Sequence, residues 1–119
     1  MILKFFKKHF ISYLNALRGF KYLIKETNFW VEVIIFLVVL FTIILIKPSI
    51  LWGILWLVLA ILLISAEAFN TGIESLCDFV SNEHHSHIAI IKDLSALGVL
   101  LVAIALFISY IVGIYATLI

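Results

Sequence analysis

Charge is what this sequence has least of: acidic and basic residues together fill 13% of its 119 positions, while 66% are hydrophobic. A chain this short cannot hide that much apolar surface in one soluble core, because small domains leave a large share of their surface wet. A water-soluble protein is therefore excluded, and an integral membrane protein is expected. Cysteine occurs once, at Cys77, so no intramolecular disulfide can form and a packed, reduced thiol is expected. Proline also occurs once, at Pro48, where it breaks the apolar run. There is no G-x-x-x-x-G-K-[ST] loop, and the Gly-rich loop and D-F-G of protein kinases are missing too, so a phosphate site of either build is excluded. A net charge of +1 offers no basic excess for a nucleic acid.

What remains is helical and apolar. Three segments, Phe29 to Ile46, Ser49 to Ala66 and Leu94 to Ile119, each approach the ~20 residues that cross a hydrocarbon layer as a helix. Lys47-Pro48 between the first two predicts a tight antiparallel hairpin, since proline lacks an amide donor and restrains its predecessor. With their polar flanks the spans are expected over residues 29–46, 49–80 and 88–118, and Asp93 is expected to cap the third. The first 25 residues do not read as a cleavable signal, because Lys4, Lys7, Lys8, Arg18, Lys21 and Lys25 interrupt any apolar stretch. On a wheel of ~100° per residue, Lys4, Lys7, Lys8, Asn15, Arg18 and Lys25 share one side, and Phe6, Tyr13, Leu17, Phe20 and Ile24 the other. That pattern predicts an amphipathic helix lying in the membrane interface over about residues 3–25. The fold class is thus all-α: one membrane-embedded domain over residues 1–119, with three transmembrane helices behind an interfacial helix. Six of the eight basic residues precede the first span, which places the N-terminus and the 80–92 loop in the cytoplasm.

The second span does not end as a greasy helix should. Glu67, Asn70, Glu74 and Asp78 fall within roughly 80° on a helix of 3.6 residues per turn, a stripe climbing about 16 Å toward the cytoplasmic loop. An ionised side chain at mid-bilayer costs about 2.5 to 3.5 kcal/mol on insertion scales, so several aligned acids point to a use rather than to interhelical glue. Aligned carboxylates repel one another and want a shared proton or a cation; hard oxygen ligands of this kind suit Mg²⁺ with substrate phosphates completing its shell. Lys92 and Asp93 begin the third span at about the depth of Glu74 and Asp78, where an ammonium can meet the acids or a phosphate. Glu26 and Glu32 flank the start of the first span, and Glu26 can add an oxygen ligand from a second helix. Metal ligands, a lysine, an interfacial helix and a cytoplasmic opening suit phosphoryl transfer from a nucleotide to something dissolved in lipid, a reaction that needs mainly positioning and charge neutralisation.

The segment EAFNTGIESLCDFVSNEHHSHIAIIKDLSA, with its E-x-x-N-[ST]-[AG]-I-E, the Asp four residues on, E-x-H and K-D, resembles the prokaryotic diacylglycerol kinase family, which includes undecaprenol kinases. KETNFWVE at residues 25 to 32 is similar to the family's E-x-x-F before its first span, and the three-span layout extends the likeness over nearly the whole chain. The resemblance implies a homotrimer in the bacterial inner membrane, with composite sites between subunits, ATP entering from the cytoplasm and a lipid alcohol, diacylglycerol or undecaprenol, entering from the bilayer. It implies Glu26 and Glu74 as Mg²⁺ ligands and Glu67 as general base on the lipid hydroxyl. Asn70 is then a group that positions its neighbours, Lys92 a contact to the ATP phosphates, and Asp93 a support for that lysine. Glu83 and His85 align with the family's nucleotide-contacting loop, and Asp78 belongs to the same nucleotide side.

Four positions depart from the family pattern: Trp30 stands where a basic residue is usual, Gly72 and Gly98 where alanine is, and His84 where an aromatic is common. The two glycines would permit closer helix approach. Trp30 reads either as an interfacial anchor or as altered bracing of the site. The H-H-x-H of residues 84 to 87 lacks the fixed geometry of a zinc motif. Two readings of other classes stand beside the kinase: a small proton-coupled transporter, whose acid should lie near the bilayer midplane, and a non-catalytic assembly subunit.

Overall fold

The computed structural model describes residues 1–81 and 83–119. Among the described residues every element is helical, in the order α1 (Ile2–Arg18), α2 (Phe20–Leu23), α3 (Thr27–Ile46), α4 (Ile50–Val80) and α5 (Ser86–Leu118). The last three are each long and apolar enough to cross a membrane. Against the spans expected from the sequence, α3 and α5 each begin two residues earlier and α4 one residue later.

The interfacial helix is α1 and α2 together. Gly19 between them keeps right-handed angles, and the amide of Leu23 still donates to its carbonyl at 3.1 Å, so the axis is only slightly interrupted. No residue of α1 is buried, and Phe6, Phe10, Tyr13 and Leu17 all stand exposed. Such a face has nothing within the chain to pack on and is suited to the acyl boundary of a bilayer. The molecule measures 53 × 49 × 21 Å, the smallest extent being about two helix diameters.

The hairpin turn forms as expected, and its cost falls on Lys47, which adopts φ 48°, ψ 61° and is the one non-glycine residue with positive φ among those described. An L-residue there is strained by about 1 kcal/mol or more. Its amide nonetheless closes α3 by donating to Ile43.

Helix α4 is the spine, packing along α5 and, less extensively, on α3, while α3 and α5 scarcely meet. Its buried positions, Gly53, Trp56, Ala60, Leu63, Glu67, Asn70 and Cys77, advance in steps of three and four, with half-buried Glu74 filling the one gap. This is the seam of a left-handed helix pairing. The apolar half of the seam holds the core, where Trp56, Ala60 and Leu63 meet Val39 of α3 and Leu106 of α5. Trp56 is fully buried and donates its indole N–H to the Ser109 carbonyl at 3.1 Å. Beside it Tyr110 is hydrogen-bonded to the Thr42 hydroxyl. The Thr42, Ser65 and Thr117 hydroxyls bond carbonyls of their own helices, which keeps polar atoms satisfied where no water reaches.

Two expectations are corrected. A Cβ at Gly72 or Gly98 would meet no atom within 4 Å, so neither glycine serves close packing within the chain. Gly113 does: a Cβ there would lie 2.8 Å from Trp52 and closer still to Trp56. Asp93 does not cap α5, which begins at Ser86 with His85 as its cap, the His85 ring accepting the His87 amide at 3.3 Å. The loop is therefore shorter than its polarity implies, and Asp93 lies two turns inside the helix.

Candidate active site at the interfacial end of the bundle

Beyond Leu63 the α4 seam turns polar without changing direction. Glu67 is 2% exposed and Asn70 5%, and the Asn70 amide donates to Glu74 Oε1 at 3.3 Å. These three therefore stay together, as the stripe in the sequence predicts. Asp78 leaves them, because the seam advances by three and four in turn and brings Cys77 inside, whereas a further step of four carries Asp78 to the surface. There it accepts a hydrogen bond from Lys92 at 2.7 Å, in an ion pair whose lysine side chain is about a third exposed and whose carboxylate is two thirds exposed.

Opposite Glu67, across the α3 seam, stands Glu32, 5% exposed and close enough for the two charges to interact. Sequence reasoning passed over it as a boundary acid. The signal that finds it is the α3 seam, Phe29, Glu32, Phe36 and Val39, which steps by three and four like that of α4. The Asn28 amide also faces Glu67. Thr71 is a second omission: its hydroxyl is buried beside Asn70.

Glu26 ends the turn between α2 and α3 in an extended conformation, and its side chain lines a cleft of about 290 Å³ with Lys25, Thr71, Glu74, Ser75 and Asp78. The structure thus brings Glu26 and Glu74, from two helices, to one cavity. On the far side of Asp78 a second cleft of about 310 Å³ is lined by Glu83, His84, His85 and Lys92. Asp93 follows Lys92 on α5 and stands exposed, about 100° around the helix from it.

A third feature meets the acids from below. Ala16, Gly19, Phe20 and Leu23 roof a groove of about 520 Å³ over Ala68, Thr71, Gly72 and Ser75 of α4. Through Phe20, Leu23 and Ala68 it continues into an apolar groove of about 440 Å³ between α3 and α4, walled by Phe29, Val33, Phe36 and Ile64. Thr71 and Ser75 belong both to this groove and to the acidic cleft. An amphiphile with its chain in the groove would present its polar end to the carboxylates.

Among the described residues no three His, Cys, Asp or Glu side chains come close enough to hold a metal by themselves. The donor set nonetheless fits Mg²⁺, which is characteristically held by one or two carboxylates with water and phosphate oxygens making up the rest. Glu26 and Glu74 would supply the carboxylates. Among the described residues one oxygen of Glu32, the Asn70 carbonyl oxygen and the Thr71 hydroxyl are buried without a hydrogen-bond partner, and Thr71 lines the acidic cleft.

No individual curated protein matches the chain. The family model for prokaryotic diacylglycerol kinase matches residues 14–115, a stretch that includes both seams, the acidic cleft and α5 up to its last turn, and the chain belongs to that family.

Proposed function

We propose that the protein transfers the γ-phosphoryl group of ATP to the hydroxyl of a membrane lipid alcohol, diacylglycerol in the first instance, with Mg²⁺ as cofactor. Family membership makes it a membrane lipid kinase of the diacylglycerol or undecaprenol kind. The observation that carries the reading is the junction at Thr71 and Ser75, where a groove open to lipid meets a cleft walled by Glu26 and Glu74.

In this reading Glu26 and Glu74 would hold the metal, which when bound would supply charge neutralisation to the triphosphate. Lys92 moves from Asp78 to the phosphates, and Glu83 and His85 face the nucleotide. Asp78 holds Lys92 between turnovers, and Asp93 keeps a supporting role from the nucleotide side. Buried Glu67 accepts the hydroxyl proton as the lipid oxygen bonds to the γ-phosphorus and the bond to the β-phosphate oxygen breaks, releasing ADP. Asn70, tied to Glu74, keeps the base and the metal carboxylate in fixed relation. Because phosphoryl transfer passes through a loose transition state, positioning and charge carry more of the catalysis than the base. The protein is taken to assemble as a homotrimer in the bacterial inner membrane, N-terminus inside; the large exposed apolar faces of all three spans suit contact with lipid or with further copies.

The test is incubation of the purified protein in mixed micelles with Mg²⁺, labelled ATP and either diacylglycerol or undecaprenol. Label in the lipid phase is expected, faster with diacylglycerol. A preference for undecaprenol would keep the chemistry and change the acceptor; no label in either lipid would sink the reading. The transporter is disfavoured by the acids lying at the end of the bundle beside the interfacial helix.

A further inference from the structure

Glu26 has a position to keep and little of its own to keep it with. It stands at the N-cap of α3 with no side-chain hydrogen bond there, on a three-residue elbow, Ile24 to Glu26, that joins the interfacial helix to the first span. Two things brace that elbow. On the inner side, Leu23 and Phe29 are both buried, and the rings of Phe20 and Phe29 stand 6.5 Å apart. On the outer side, the indole N–H of Trp30 reaches back six residues and donates to the Ile24 carbonyl at 2.8 Å. That carbonyl belongs to the last turn of α2, one of the groups a helix end leaves without an internal partner. The Lys25 and Glu26 amides donate to Tyr22 and Leu23 at 3.2 and 3.0 Å, so the elbow is a tightened final turn with Trp30 as its outside clasp. About half of Trp30 remains exposed.

We infer that Trp30 is a positioning residue: its indole N–H clasps the Ile24–Glu26 elbow and thereby holds the Glu26 carboxylate across the cleft from Glu74. This rests on the reading of Glu26 and Glu74 as the metal-holding pair, but the clasp itself is a property of the backbone and is measured separately. The distinction from a plain interfacial anchor lies in the donor. An anchor needs an aromatic ring at the interface; the clasp needs an N–H.

The experiment uses the full chain in micelles as wild type, Trp30→Phe and Trp30→Arg. Phenylalanine keeps a ring and removes the donor; arginine removes the ring and restores donors on a side chain long enough to reach back. Hydrogen exchange over residues 24–26 and the Mg²⁺ concentration that half-saturates lipid phosphorylation are read side by side. Trp30→Phe is expected to exchange about tenfold faster, as loss of a bond worth about 1 kcal/mol or slightly more implies. It should also need several-fold more Mg²⁺ at little change in maximal rate, with Trp30→Arg returning both toward wild type. Unchanged exchange in Trp30→Phe would overturn the clasp, as would Trp30→Arg behaving like Trp30→Phe. Faster exchange with an unaltered Mg²⁺ requirement would overturn its link to Glu26. Should the wild type transfer no phosphate, the metal reading fails, and exchange alone still decides whether the donor holds the elbow.

Discussion

The roles proposed for two carboxylates at one seam are separable. If Glu67 is the proton acceptor, Glu67→Gln should lower turnover by about a hundredfold while the KM for MgATP stays within a few-fold. If Glu74 holds the metal, Glu74→Gln should raise that KM by about tenfold or more. Steady-state kinetics in mixed micelles separate the two, and equal, small effects on turnover would contradict both roles. Glu32 extends the argument to stability. A buried oxygen without a partner costs about 1–3 kcal/mol, so Glu32→Leu should raise the midpoint of unfolding in a detergent titration even as it disturbs Glu67 and slows the reaction. The acids of α4 were legible in the sequence because they share one helix, whose period places them. Glu32 was not, because its meaning depends on Glu67 facing it from another helix.

At the scale of elements, hairpin and spine make opposite demands on backbone and side chain. Lys47 bears a left-handed conformation at the α3–α4 turn, so Lys47→Gly should stabilise the fold by about 1 kcal/mol, read from the same titration. Along α5 the demand is for absence. Gly113→Ala would drive a methyl group into Trp52 and Trp56, and overpacking of this kind costs about 1–3 kcal/mol. Gly72→Ala, with open space around it, should stabilise the helix by about 0.5–1 kcal/mol. The pair is a direct comparison of two glycines that look alike in the sequence. Their difference lies in the two tryptophans of α4 that one of them meets.

The whole molecule is a spine helix flanked by two others, with large apolar side chains exposed along all three spans and on the interfacial helix. In a bilayer those faces meet lipid or further copies of the chain. If the protein is the proposed homotrimer, mass measurement of the micellar protein should return three copies, and a monomeric mass would overturn that assembly.

Hydrophobic length and helical period are properties of a segment taken by itself. The sequence alone therefore determined three spans, an amphipathic lead helix, a break at Lys47-Pro48 and the alignment of Glu67, Asn70 and Glu74. The rotation and register of one helix against another are settled by packing among all of them at once. Only the tertiary structure decided that Glu32 faces Glu67, that Asp78 leaves the stripe for Lys92, that Gly113 rather than Gly72 or Gly98 takes a close contact, and that Trp30 closes the elbow beneath Glu26.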